Sequence, residues 1–387
     1  MSMERGMRLV IICCLFSLWQ GLTIETLAAM PQEILLGQSS AFSGGAQDIG
    51  NEMRVGLQAA FARVNEAGGI AGRPIRLISR DDGYEPDRAV RNSEIFIEED
   101  RVFALIGQVG TPTSQAVLPL ASRLGIPFFA PLTGAAFLRT PFNPYVITIR
   151  ASYAQEMAKI VNYLINEKKL SRIACFYQND SYGFDGLKGL EQALGNHGMK
   201  LVAQASYERN TVAVMGAVLD IEKVQPEAVV MVGAYTACAE FIKLSKAKMH
   251  SQALFASISF VGTESLRDSL GEYGQGVIVS QVVPNPYDNT LPLVGEYKES
   301  MSLFQHGAST NFNSFEGYIA GRLFAAICQN ISGEFNQKSF IETMERVGSF
   351  DLGGLILRFA KTDHQGLDDV FLTEIYPKIR EIKMAGQ

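Results

Sequence analysis

The 387 residues are enough for two domains, each able to bury its own core. Hydrophobic residues make up 47% of the chain and charged residues 19%, ordinary globular values that exclude a disordered or collagenous protein. With 34 Lys and Arg against 40 Asp and Glu the net charge is -6, so the basic excess that nucleic acid requires is missing.

In chain order, Arg5 and Arg8 precede an apolar run from Leu9 to Trp19, and Thr26-Leu-Ala-Ala29 supplies small residues before Gln32 and Glu33. This pattern predicts a cleaved signal peptide over residues 1–28. The run is too short to span a membrane, since a span needs about 20 apolar residues. Cys13 and Cys14 lie inside that run behind the bulky Ile12, which disfavours lipid attachment. The mature chain is therefore expected to be periplasmic, without membrane insertion. It keeps Cys175, Cys238 and Cys328, an odd number that leaves at least one free thiol, and the pairing is not fixed by the sequence. Cys175 and Cys328 sit in apolar runs and read as buried small hydrophobes.

Short apolar runs then alternate with segments of helical period. The first series reads as strand Ile34–Gln38, helix 50–66, strand Ile75–Ser79, helix Pro86–Glu98, strand Phe103–Gly107, helix Thr113–Leu124 and strand Ile126–Ala130. In the first helix Met53, Leu57, Ala60, Phe61 and Val64 make one apolar stripe. The second series reads as strand Arg172–Tyr177, helix Gly183–Asn196, strand Lys200–Ala205, helix Val212–Val224, strand Ala228–Val232, helix Thr236–Ala247 and strand Ala253–Ala256. Repeated strand-helix alternation predicts an α/β protein of two doubly wound parallel-sheet lobes. Tyr145–Ser152 and Gly276–Pro284 are extended without a helix and read as crossings between the lobes. The expected division is 29–147 plus 280–362 for one lobe and 148–279 plus 363–387 for the other.

Open parallel sheets bind ligands beyond the C-terminal ends of their strands. Those turns are 39–50, 108–114 and 131–135 on the first lobe, and 179–183, 233–237 and 257–262 on the second. Gly110 lets backbone approach a ligand, and Thr111 and Thr113 offer hydroxyls beside the free N–H groups of a helix start, a place suited to a carboxylate. Plain N-capping by either threonine explains the same residues. Pro131-Leu-Thr-Gly134 is a second polar turn on this rim, and Tyr182 and Tyr235 face it from the other lobe, as recognition or as packing.

Catalytic and metal signatures are missing. There is no G-x-G-x-x-G, no Walker loop and no G-x-S-x-G, and the four histidines are scattered, so no cofactor, metal or enzymatic activity is expected. Asp81 and Asp82 read as turn formers before the helix that Pro86 opens.

Ile34-Leu-Leu-Gly-Gln-Ser39, Val64-Asn-Glu-Ala-Gly-Gly-Ile-Ala-Gly72, Asp81-Asp-Gly-Tyr-Glu-Pro86, Ala104-Leu-Ile-Gly107, Arg150 and Asp180-Ser-Tyr-Gly183 follow in the order and spacing of one known family. Over nearly its whole mature length the chain resembles the leucine/isoleucine/valine-binding proteins, the type I periplasmic substrate-binding components of ABC importers. The resemblance implies two lobes joined by three crossover segments, closing on ligand by hinge motion. It implies that an amino-acid carboxylate is held at Thr111 and by the turn Leu132, Thr133 and Gly134, with Tyr182 and Tyr235 in the cleft. The family's disulfide positions correspond to Tyr84 and Gly110, so that bridge is absent. The family's acidic partner for the ligand ammonium falls near Ser259, and Glu316 is a substitute candidate or else a helix N-terminal charge.

The expected function is capture of a small solute, an amino acid or another carboxylate, and its delivery by a monomer to an inner-membrane ABC permease. A ligand sensor acting on a membrane kinase or regulator is the alternative, and a hydrolase the weakest reading. The sequence does not name the ligand.

Overall fold

The computed structural model describes residues 32–376 and 378–384, so the expected signal peptide, with Cys13 and Cys14, lies outside the described residues. Close contacts divide the chain into a unit ending at Gln32 and a second beginning at Glu33, which is the one described below.

The first half builds β1 (Ile34–Ser40), α1 (Gln47–Glu66), β2 (Ile75–Asp81), α2 (Pro86–Glu98), β3 (Ala104–Ile106), α3 (Thr111–Leu124), β4 (Phe128–Phe129) and β5 (Val146–Ile147). Their five strands form one parallel sheet in the order β2-β1-β3-β4-β5, with Leu36 of β1 level with Leu77 on one side and Ala104 on the other. The near-unbroken burial of β1 and β3 follows from helices on both faces.

The chain then enters α4 (Tyr153–Asn162), which Ser152 and Gln155 open with a reciprocal capping box. Next come β6 (Ile173–Gln178), α5 (Ser181–Gly195), β7 (Ala203–Tyr207), α6 (Met215–Glu222), β8 (Ala228–Val232), α7 (Tyr235–Lys248), β9 (Leu254–Ser257), α8 (Thr263–Leu270) and β10 (Val277–Gln281). Strands β7-β6-β8-β9-β10 are parallel and repeat the topology of the first sheet. The chain leaves this sheet for α9 (Pro292–Phe304), α10 (Phe312–Gln329), α11 (Gln337–Val347) and the hairpin β11 (Ser349–Asp351) and β12 (Ile356–Arg358). It returns as β13 (Phe371–Tyr376), which adds antiparallel to β10, and β14 (Lys378–Glu381), which adds antiparallel to β13. Two doubly wound lobes with three connecting passages result, and the first and third passages lie together, Thr148 N–H donating to the His364 carbonyl at 2.9 Å.

Two segments expected as bare crossings are more than that. Val146–Ile147 pairs with β4 at the sheet edge, and Val277–Gln281 is a fully buried strand of the second sheet. α10 is buried on almost every side and packs on α1 so closely that a Cβ on Gly56 would lie 1.9 Å from the Ser314 carbonyl oxygen. Only a residue without a Cβ fits at this crossing. Cys175, Cys238 and Cys328 are all buried and free. Among the described residues no helix is long and apolar enough to cross a membrane.

Candidate functional site

In each sheet the strand order reverses beside one strand, between β1 and β3 and between β6 and β8, and the rim loops at these points face one another. Their contacts cross from lobe to lobe. Arg209 pairs with Glu85 across the lobes at 3.0 Å and within its own lobe with Asp180 at 3.0 Å, Asn210 donates to the Gly83 carbonyl at 3.0 Å, and Thr236 donates to the Gly45 carbonyl at 3.2 Å.

On the first rim Gly110 has φ 107°, a conformation that L side chains avoid, and its missing Cβ would stand 2.2 Å from the Tyr84 ring. The ring thus occupies the room beside the glycine at the two positions where the resemblance places a disulfide. Neither threonine caps α3. Gly110 is the capping residue and no side chain bonds the first turn. Thr113 turns its hydroxyl back onto the Val109 carbonyl at 2.7 Å, whereas Thr111 points its hydroxyl forward.

That forward hydroxyl meets Thr133 Oγ1 at 2.7 Å and Tyr153 OH at 3.2 Å, and Thr133 and Tyr153 are 3.1 Å apart. Three fully buried hydroxyls therefore form a triangle from three parts of the chain: the start of α3, the turn after β4 and the first residue of α4. Burial, partly countered by Arg150, pushes the Tyr153 phenol up to about 12, so at neutral pH it carries its proton. Leu132 is buried and locks the two first-lobe turns together, its N–H donating to Gln108 O at 2.8 Å and its carbonyl accepting from Gly110 N at 3.3 Å. Gly134 admits α4, because a Cβ there would lie 2.7 Å from the Tyr153 nitrogen.

Tyr182 stands against this group. Its ring centroid is 5.5 Å from Tyr153 and 4.6 Å from Phe260, Tyr84 lies 6.0 Å beyond Phe260, and the buried Tyr182 hydroxyl has no hydrogen-bond partner. Tyr235 is apart from the ring cluster and lies beside Asp48 of α1, where burial first, then Asp48, pushes its phenol up. Beyond it a chamber of about 820 Å³ is lined by Asp48, Glu52, Glu264, Arg267 and Asp268, a site distinct from the hydroxyl triangle. Burial first, then the neighbouring acids, pushes the Glu52 carboxyl up to about 8 in spite of a bond from Asn313.

Ser259 and Glu316 meet a residue that sequence reasoning left unassigned. Arg150 donates to both Glu316 oxygens, at 2.8 and 2.6 Å, and to Ser259 Oγ at 3.2 Å. Arg150 is fully buried, and so nearly is Glu316, which makes this a two-pronged internal ion pair. Glu316 is thus neither a free carboxylate nor an exposed first-turn charge. The Ser259 N–H donates to Glu156 Oε2 at 2.8 Å and Ser280 donates to the same oxygen at 2.6 Å. Burial raises the Glu156 carboxyl, against the pull of Arg150. No local signal marks these partners; the one signal that could have placed Tyr153 at a helix start is the capping-box pattern Ser152-x-x-Gln155, which the sequence reading did not use.

Residues 33–378 match the family model described as periplasmic binding protein. The chain belongs to the periplasmic binding protein family. It is similar to a protein from Rhodopirellula baltica SH 1 whose crystal structure is described as that of a possible leucine/isoleucine/valine-binding protein, at 35% identity and TM-score 0.87, over 92% of this chain and 97% of that one. A substrate-binding periplasmic protein from Ralstonia solanacearum is 26% identical with TM-score 0.85, over 90% of this chain and all of that one. Leu/Ile/Val-binding protein homolog 7 of Brucella abortus is 28% identical over 200 residues, 49% of each chain, so this periplasmic binding protein spans about half the length of the curated relatives it matches. Among the described residues no cluster of His, Cys, Asp and Glu has the makings of a metal centre.

Proposed function

We propose that the protein is the periplasmic solute receptor of an ABC importer: it captures a small carboxylate-bearing solute between its lobes and delivers it to the permease, with no chemistry of its own. The observation that carries this reading is the triangle of Thr111, Thr133 and Tyr153 hydroxyls at the N-terminus of α3. Helix geometry leaves the first N–H groups of α3 without intrahelical acceptors, and the helix dipole favours an anion there. Three hydroxyls add donors that rotate to suit an oxyanion. Gly110, Leu132 and Gly134 shape this cradle, with Tyr182 and Ser259 of the second lobe beside it, while Tyr235 stands apart next to Asp48. Glu316 supports the wall through Arg150 rather than touching solute. The names of the relatives, which speak of leucine, isoleucine and valine, agree with a solute of this size.

In this reading the mature chain acts in the periplasm as a monomer, and the rim contacts between Arg209, Glu85 and Asp180 belong to the closed form. Mass spectrometry of material released on denaturing gently purified protein identifies the solute. X-ray scattering of the stripped protein with that solute restored is expected to show compaction. A stripped protein whose scattering profile is unchanged by everything it released refutes the reading.

A further inference from the structure

Away from the hydroxyl triangle, the chamber of about 820 Å³ gathers acids from both lobes. Asp48 and Glu52 stand one turn apart on α1 of the first lobe, and Glu264 and Asp268 one turn apart on α8 of the second. Residues 308–311, which lead into α10, close a further side. The walls abut here: a Cβ on Gly262, at the start of α8, would lie 3.3 Å from Ile49 of α1 and 3.3 Å from the Asn313 side chain of α10.

Arg267 is the basic residue of the lining, and it is already tied to Asp268 at 2.7 Å. That leaves Asp48, Glu52 and Glu264 at the chamber without a basic partner among the described residues. Neutral donors hold two of them: Asn313 Nδ2 donates to Glu52 at 2.9 Å, and Tyr287 OH donates to Glu264 Oε1 at 2.6 Å. Glu264 is only 7% exposed, and its other oxygen has no hydrogen-bond partner. Burial raises its carboxyl in spite of Tyr287 and the nearby N–H groups of Glu264 itself and Phe312. On the opposite wall burial first, then the charges of Glu264, Asp48 and Asp268, pushes Glu52 up to about 8. Carboxyls raised on both walls of one cavity are short of a cation.

These acids are ranged round the walls rather than converging, since among the described residues no three are placed to hold one metal ion. A single ammonium reaches one wall, whereas two ammonium groups on a flexible chain reach both. The chamber has the volume of a small-molecule site, and the hydroxyls of Ser265, Ser309 and Thr310 add neutral acceptors along it.

We infer that the chamber is a second binding site, for an organic cation with two or more ammonium groups, and that this cation bridges the lobes. The site goes beyond the receptor reading and uses none of the cradle residues.

Calorimetry at fixed ionic strength, on the full mature chain stripped of co-purified solute, uses spermidine, putrescine, butylamine and magnesium chloride as probes. One saturable site is expected for spermidine and for putrescine, with butylamine weaker by about tenfold or more, the loss of one charged hydrogen bond. Glu52→Gln and Glu264→Gln each remove one charge from one wall while keeping the side-chain outline, and each is expected to weaken spermidine binding by about tenfold or more. Urea unfolding checks both proteins, and Asp48→Asn, at a half-buried position, repeats the test if either fails to fold. Scattering is expected to show the native protein contracting with spermidine, and the Glu264→Gln protein not contracting at a concentration that saturates only the native one. No saturable spermidine binding, magnesium binding as tightly as spermidine, or unchanged affinity in either folded glutamine variant overturns the inference. Butylamine binding as tightly as putrescine overturns the ligand class, and spermidine binding without contraction overturns the bridge between lobes.

Discussion

Replacing Thr111 by valine tests the oxyanion cradle with the least disturbance. Valine has the outline of threonine with a methyl in place of the hydroxyl, so at this fully buried position the change removes the hydrogen bonds without opening a cavity. The Thr111 hydroxyl contributes contacts of 2.7 Å to Thr133 and 3.2 Å to Tyr153, and without it those two remain 3.1 Å apart and still bonded to each other. No buried hydroxyl is orphaned, so the cost to folding is that of one net hydrogen bond, about 0.5–1.5 kcal/mol. Toward a bound carboxylate the lost bond is charge-assisted, about 1.5–3 kcal/mol, which is roughly 10- to 150-fold in Kd. The assay is calorimetric titration with the solute recovered from the native protein, run beside urea unfolding of both proteins. Affinity is expected to fall by more than stability does. Full affinity in Thr111→Val, or a loss no larger than the loss of stability, refutes the argument and makes the triangle a packing device.

Glu316→Gln leaves a fully buried guanidinium without its counter-charge and is expected to cost about 3–5 kcal/mol in urea unfolding. The Arg150→Gln, Glu316→Gln double variant should be more stable than the two single losses summed; strict additivity means that the pair is not coupled. Gly110→Ala puts a methyl 2.2 Å from the Tyr84 ring at φ 107°, and a loss of about 1–3 kcal/mol is expected, partly recovered in the Gly110→Ala, Tyr84→Ala protein; an unchanged Tm in the single variant contradicts the packing described. The Glu52 carboxyl is raised from 4.5 to about 8, so the folded state holds its proton more tightly than the unfolded chain. Its contribution to stability is full below about pH 4.5 and disappears as pH rises through about 8. Glu52→Gln should therefore flatten the decline of Tm between pH 5 and pH 8, and a parallel decline in both proteins refutes the assignment.

Elements with a clean period were legible from sequence. α2 begins and ends where Pro86 and Glu98 predict, and β8 coincides with the apolar run Ala228–Val232. The rim turns were legible for the same reason, because strand ends in an alternating α/β chain fix where they lie. α10 was not, since a helix buried on all sides presents no stripe to detect. The hydroxyl triangle was half legible: Thr111 and Thr133 stood out on polar turns, while Tyr153, just past the crossing read as Tyr145–Ser152, received no reading. Arg150 and Glu316 are 166 residues apart, and a pair at that separation leaves no local trace. The proposed role of Glu316 as an ammonium partner gives way for that reason to one beside Arg150.

The contact between Tyr84 and Gly110 has a consequence for how this molecule is made. A rim loop fastened by a ring lying on a glycine needs no oxidant, and the three thiols among the described residues are buried and free. Folding in a reductant-rich compartment and folding in an oxidising one therefore lead to the same rim, so material produced in either should be interchangeable, with no mispaired isomers to sort and no dependence on a disulfide-forming machinery.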